Sequence, residues 1–476
     1  MAEDNKENKQ PMQTNTNKHI PAPSSVADEQ IKQLIKKEAE MALAENRNRS
    51  YKKDLKSIQN SRSWKYLAPL RKLNSMFSFG KKKKLYTLQL EEELTLAKSQ
   101  LLEATAFIDD RLLDDKTLRS HELMDRLRAK KREGTLADYL EELAEDKHAH
   151  TANYAEALKY GARLFSKEKD SYKKFVYEKA LTGLNAEEIP EFMVRAGVEE
   201  EPIALSAAAS YRASLTMRMR EMQLTGSLPE WLLDDKQLAY EFIDALKVRR
   251  PWTSKDTYRI ETLPKQTGMV VKPADGAGSR GVYLIHDLND IIDVKRSEKL
   301  TKWDDLLDRM REDVLMGWVS QNEWFTEELI LENVEHNQIA SDIKFYCFYG
   351  KIGVVLEIER YPETKYCWWT ANGERIRTGK YDEDPFSGQG VTQAECKLAT
   401  NISEQIPAPF IRIDFLRSEE GLVFGEFTPK PGNYDEFDKQ TDTYLGDLFL
   451  EAQGRLAQDM LNGKQFETYK QLQAKQ

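Results

Sequence analysis

The sequence predicts an α+β protein, with a strand-rich module in its carboxy-terminal half, an extended helical region before it and a polar tail. Three observations predict this. Runs of β-forming residues come in pairs around short turns at 269–285, 342–360 and 409–427. Through much of the chain before residue 228, apolar residues recur instead at helical spacing. Residues 1–27 hold hardly any apolar side chain, so they cannot repay the entropy of folding and read as disordered.

With 476 residues the chain has room for two or three domains. Charged residues make up 32% of it and mean hydropathy is -0.68, values of a soluble protein with polar or extended helical portions. No apolar run nears the roughly 18 residues of a membrane-spanning helix, and the start MAEDNKENKQ lacks the apolar core of a signal peptide. Cys347, Cys367 and Cys396 are widely spaced. They fit a reducing cytoplasm and argue against structural zinc or a disulfide framework. A net charge of -9 argues against a specific nucleic-acid partner.

Residues 28–59 place Ile31, Leu34, Ile35 and Met41 at helical spacing, a long helix or short coiled coil able to self-associate. Residues 60–84 carry no acid. They interleave Trp64, Tyr66, Phe77 and Phe79 with Arg62, Lys65, Arg71, Lys72 and Lys81 to Lys84. Aromatic rings beside basic side chains suit an anionic membrane surface; a linker whose apolar residues dock on the following helices is the competing reading, and RNA binding a third. Residues 85–227 read as a helical domain with breaks at Gly134, Gly161 and Gly183. His148 and His150 point in different directions on a helix, so they do not read as a metal pair. The strand-rich module takes residues 228–450, and 451–476 close the chain as a helix.

Within that module, Asp234-Asp235-Lys236 opens a helix whose acids suit its first turn. GMVVKPADGAGSRGVYLIHD then reads strand, glycine loop, strand. Gly276-x-Gly278-x-x-Gly281 spells a dinucleotide fingerprint, but the run Val-Tyr-Leu-Ile after it is a strand where that fingerprint needs a helix. Such a hairpin can bring backbone N–H groups close to phosphates, with Lys272 adding a point charge. Leu300 to Glu328 reads as a charged helical segment, followed by LILENVEH with Glu332 at the end of a short strand. DIKFYCFYGKIGVVLEIER reads strand, Tyr349-Gly350 turn, strand. In PFIRIDFL, alternation sets Arg412 and Asp414 on one face. With Glu426 from the partner strand they present two carboxylates suited to a hard cation such as Mg²⁺.

The ordered set resembles the ATP-grasp superfamily, and most closely its TupA-like branch, associated with teichuronopeptide and related cell-surface polymers. The resemblance covers Leu228 to Leu448 and implies an ATP-grasp module, two α+β subdomains gripping ATP, with Mg²⁺. It implies that Lys236 and Lys272 bind phosphates and that Asp275, Gly276, Gly278, Ser279 and Gly281 form the lid. Glu332 becomes the adenine-side acid, and Lys344 a charge near ribose and phosphates. Arg412 stabilises the transferred phosphoryl group, with Lys272 also catalytic. Asp414 and Glu426 become the metal ligands. RIDF…GEFTPKPG is similar to the R-x-D-F…E-x-N-x-x-P-G pattern of D-alanine–D-alanine-type ligases, but Thr428 stands where those have a metal-binding Asn. A hydroxyl is a poorer ligand, so Asn433 or water completes the shell, or one of two metal sites is weak. The segment SRSWKYLAPLRKL also resembles one found in bacterial glycosyltransferases and other surface-polysaccharide proteins.

The implied activity is ATP-dependent joining of a carboxylate to an amine, with a glycan, amino acid or uronic acid as acceptor, in cell-surface polymer synthesis. The location implied is cytoplasmic, at the inner face of the membrane if 60–84 binds it. Two alternatives stand beside this: a kinase-like grasp that phosphorylates a glycan, and a catalytically weak scaffold for envelope assembly. No H-R-D loop is present, and the lysine precedes the glycine loop, which argues against a protein kinase.

Overall fold

The computed structural model describes residues 34–37, 41, 45, 49–53, 56, 120–199, 203–275 and 278–475. The tail, the basic aromatic stretch and Gly276 lie outside the described residues. The described positions between 34 and 56 are helical. Two compact units divide at Ala204/Leu205. No described helix is long and apolar enough to cross a membrane.

The α-helices described in the first unit from residue 120 onward are α1 (Ser120–Glu133), α2 (Leu136–Leu164), α3 (Asp170–Leu181) and α4 (Glu191–Glu199). Gly134 separates α1 from α2 with a φ of 79°, as expected of a glycine break, whereas Gly161 lies inside α2, since glycine weakens a helix without ending it. His150 stacks on Tyr154 with ring centroids 5.2 Å apart on an exposed face.

The second unit is mixed. Helix α5 (Tyr211–Thr225), the short α6 (Pro229–Leu232) and α7 (Lys236–Ala245) precede the sheets. Asp235 caps α7 by accepting from the Leu238 N–H at 2.9 Å, so this acid starts the helix that carries Lys236. A five-stranded antiparallel sheet has the order β4-β3-β2-β1-β5. Its strands are β1 (Met269–Pro273), β2 (Tyr283–Asp287), β3 (Asp290–Asp293), β4 (Glu298–Leu300) and β5 (Trp324–Glu328). One face packs Met269, Val271, Tyr283 and Ile285 against Trp303, Leu306 and Met310 of α8 (Trp303–Leu315). The helical segment read from 300 to 328 thus ends at Leu315. Trp324-Phe325-Thr326 are β-formers with a pairing edge available on β1, and tertiary pairing overrides the charge-rich local pattern.

The hairpin of β6 (Leu331–Asn333) and β7 (Gln338–Ile339) leads into the larger sheet, ordered β11-β10-β9-β8-β12-β13. It comprises β8 (Asp342–Phe348), β9 (Lys351–Glu359), β10 (Lys365–Trp369), β11 (Arg375–Ile376), β12 (Ile411–Ser418) and β13 (Gly421–Thr428). Tyr349 and Gly350 make the expected turn, both with positive φ. Helices α9 (Gln393–Ser403), α10 (Lys439–Leu461) and α11 (Glu467–Gln473) complete the unit. Phe345, Phe415, Phe424 and Phe427 join Tyr211, Phe242, Leu445 and Phe449 in one buried core, each large side chain contributing about 1.5–3 kcal/mol. Lys344, Arg412, Asp414 and Glu426 come together on β8, β12 and β13.

Candidate active site

Strand alternation sets the first half of the site. In β1, Met269 and Val271 point into the core with α8, so Val270 and Lys272 point away from it. Val270 pairs with Glu327 and Lys272 with Phe325 on β5, which puts Lys272 and Glu327 on one face. Glu327 is buried at 3% exposure, with one carboxylate oxygen bonded to Lys236 and the other to Lys272. Burial alone would raise Glu327, but Lys272 and Lys236 outweigh it and hold its carboxyl below the ordinary range. Lys236 in turn is pulled down by burial, which outweighs the upward pull of Glu327, with Lys272 adding to the fall. Its ammonium also lies 4.4 Å from the centroid of the Phe325 ring.

The two proposed phosphate-binding lysines are therefore brought together, bridged by a carboxylate that the sequence reading missed. A strand signal at Trp324-Phe325-Thr326 was available to find it. Lys272→Ala is expected to weaken ATP binding by the roughly 1.5–3 kcal/mol of a charged hydrogen bond. Calorimetry giving equal affinities for the variant and the wild type would remove Lys272 from the site.

The glycine loop joins β1 to β2. Gly278, Ser279 and Gly281 all have positive φ, and Asp275 accepts from the Ser320 N–H at 3.1 Å. Arg280 lies over the Trp318 ring at 5.9 Å. Glu332 stands in β6, half-buried, and both its oxygens are engaged from within the protein. One accepts from the Ser341 N–H and hydroxyl at 3.1 and 2.7 Å, the other from the Gln389 side chain.

The second half of the site is a charge cluster on β8, β12 and β13. Strand order places Lys344 opposite Asp414, and Asp414 opposite Glu426. Asp414 is 4% exposed. Arg412 donates to it through Nε at 2.7 Å and Nη2 at 2.6 Å, and Lys344 bonds the same carboxylate. Burial would raise Asp414; Arg412 and Lys344 overcome it and hold the carboxyl down at about 2. Arg412 also donates to the Thr428 hydroxyl at 2.9 Å, so the residue in the metal-Asn position here supports the arginine.

Glu426 owes its place to a β-bulge. Pairing runs Asp414 with Glu426 but Phe415 with Phe424, leaving Gly425 as the extra residue. Phe424 is in the core, and strict alternation would send Glu426 there as well. The extra residue turns it onto the charged face instead. Gly425 suits the bulge because a Cβ there would sit 3.2 Å from the Asp414 carbonyl oxygen. Among the described residues Glu426 has no hydrogen-bond or ion-pair partner. Its side chain reaches solvent, yet the surrounding protein still desolvates it, and this with Asp414 pushes its carboxyl up. The field of Glu426 also reaches Lys236, so the two halves of the site act on each other.

An unpartnered carboxylate beside a second one fits Mg²⁺, which binds through one or two carboxylates and fills its shell with water and substrate phosphates. A cage made wholly of protein is not offered: among the described residues no group of three or more His, Cys, Asp or Glu is arranged to hold a metal. A further lysine escaped the sequence reading. Lys380, 2% exposed, donates to the carbonyls of Gly432 and Asn433, both at 2.7 Å. Burial pushes its ammonium down to about 8. It lies beyond β11 with no motif around it, so only the fold reveals it.

Among solved structures the chain is similar to D-alanine–D-alanine ligase from Bacillus anthracis, at 15% identity over 48% of this chain and 70% of that one, with a TM-score of 0.29. It is also similar to the macrocyclase MdnC from Microcystis aeruginosa MRC, at 12% identity over 46% and 61%, with a TM-score of 0.25. Likenesses this remote carry no functional argument. No curated protein sequence matches the chain. The family model described as TupA-like ATPgrasp matches residues 213–450, half of the chain. That span includes both lysines, the glycine loop, the bulge and the charge cluster, and the chain belongs to the TupA-like ATP-grasp family.

Proposed function

We propose that the protein joins a carboxylate to an amine through an acylphosphate, using Mg²⁺ and ATP bound between the Lys236–Glu327–Lys272 cluster and the Asp414–Glu426 pair. The observation that carries this reading is the opposed carboxylate pair with Glu426 left without a partner, beside a buried Arg412. A carboxylate oxygen of the donor attacks the γ-phosphorus and the bond to ADP breaks. The amine nitrogen then attacks the acyl carbon, loses a proton, and phosphate leaves. Asp414 and Glu426 would hold Mg²⁺, which would offset charge on the nucleotide phosphates, while Arg412 and the lysines hold the charge of the transferred group.

Glutamate or a uronic acid is the donor class we propose, within cell-surface polysaccharide or teichuronopeptide-type synthesis. With either donor, MgATP and hydroxylamine in place of the amine, ADP and a hydroxamate are expected. A stable phosphorylated glycan without hydroxamate would establish the kinase-like alternative, and unconsumed ATP the scaffold.

Residues 60–84 we propose as a contact with an anionic membrane. Binding to phosphatidylserine-containing vesicles is expected to fall with added salt and when Lys81 to Lys84 become Gln. Binding that ignores lipid charge would return the stretch to a linker.

A further inference from the structure

The turn that follows β13 is held by a buried cation. Lys380 grips the carbonyls of two successive residues, Gly432 and Asn433. Among the described residues no carboxylate lies within ion-pair reach of it, and the rings of Tyr381 and Phe437 are 5.0 and 5.4 Å from its nitrogen. The same segment fastens the far end of the turn, because the Asp438 N–H donates to the Thr378 carbonyl at 2.8 Å. Gly379 lies so close that a Cβ would come within 2.7 Å of the Asp438 nitrogen. This packing holds Lys380 in place.

The consequence follows from peptide geometry. In a trans peptide the C=O of one residue is antiparallel to the N–H of the next. The only cis peptide among the described residues is Tyr361-Pro362. Pulling the Gly432 and Asn433 carbonyls toward one ammonium therefore aims the Asn433 and Tyr434 N–H groups the opposite way. Neither N–H has a hydrogen-bond acceptor among the described residues, and Gly432 and Asn433 are exposed. Asn433 has a φ of 51°, a backbone state that lets successive N–H groups converge on an anion. The turn begins just after Thr428, which Arg412 holds.

We propose that Lys380 is a positioning residue that presents the Asn433 and Tyr434 N–H groups as a pair of donors for an oxyanion formed beside Arg412 during group transfer. The ligand class is a phosphoryl or tetrahedral oxyanion, and the inference rests on the ATP-grasp reading of the site. Both N–H donors gain most when charge develops, because a preorganised donor needs no reorganisation at that moment.

The test measures MgADP binding to the full chain by calorimetry, alone and with aluminium fluoride as the phosphoryl-transfer mimic. Wild type is expected to bind MgADP more tightly when aluminium fluoride is present. Lys380→Met should lose roughly 10–100-fold of that gain, the range for removing a supporting partner, while its affinity for MgADP alone stays unchanged. Lys380→Arg, which keeps charged donors, should recover part of the gain. A gain retained in Lys380→Met, a gain absent from wild type, or an equal fall in both affinities would overturn the proposal. Should the Met variant not fold, Lys380→Gln keeps two uncharged donors and should show an intermediate gain; a wild-type gain there would overturn the proposal too. Wild type that binds no MgADP would defeat the nucleotide reading itself, whereas binding that ignores Lys380 defeats only this inference.

Discussion

Asp414→Asn is expected to abolish turnover and also to destabilise the fold, by about the 3–5 kcal/mol of a broken buried ion pair. The reason is local. Arg412 and Lys344 both direct their charge at this carboxylate, and all three side chains are largely buried. An amide would leave two buried cations without their counter-charge. A thermal melt of the variant should therefore fall clearly below wild type, and coincident melts would show that the cluster is not energetically closed. The wild-type protein offers a second check. Asp414 titrates at about 2 in the fold, against roughly 3.9 in an unfolded chain. A depressed carboxylate contributes stability that is present above the unfolded value and lost as pH falls through the folded one. The melting temperature should thus drop between about pH 4 and pH 2, and this part of the drop should be absent in Asp414→Asn.

Glu426→Gln is expected to do the reverse: to leave the melt near wild type while removing turnover, by roughly 10²–10³-fold as for a lost electrostatic group at a reacting centre. Glu426 has no protein partner to abandon among the described residues, and its raised carboxyl already counts against the charged form. Its removal costs the fold little. On the proposed reading, a bound Mg²⁺ would lose half of its carboxylate pair. The two neighbouring acids, paired across one rung of the sheet, should therefore separate stability from activity. A Glu426→Gln enzyme with near-normal rates would make this residue an ordinary strand acid. An equal destabilisation in both variants would make the pair a structural unit.

Sequence by itself determined several of the elements and some of their faces. Val270 to Lys272, Arg412 to Asp414 and the turn at Tyr349-Gly350 follow from period two and turn chemistry, which are properties of a few adjacent residues. That Asp234-Asp235-Lys236 opens a helix is equally local, although Asp235 caps that helix and does not lie in its first turn. The charge balance of the site was decided only by tertiary structure, because it depends on which strands become neighbours. Lys344 neutralises Asp414 because β8 lies beside β12. Glu327 meets Lys272 because β5 pairs with β1, and a charged run that looks helical in isolation yields to that pairing. The bulge at Gly425 turns Glu426 toward Asp414 against the simple alternation of its strand. Lys380 reaches Gly432 across 52 residues of chain, a distance over which no local pattern carries information. Local backbone preference acts between adjacent residues, whereas desolvation and ion pairing act between whichever groups the sheet order brings together.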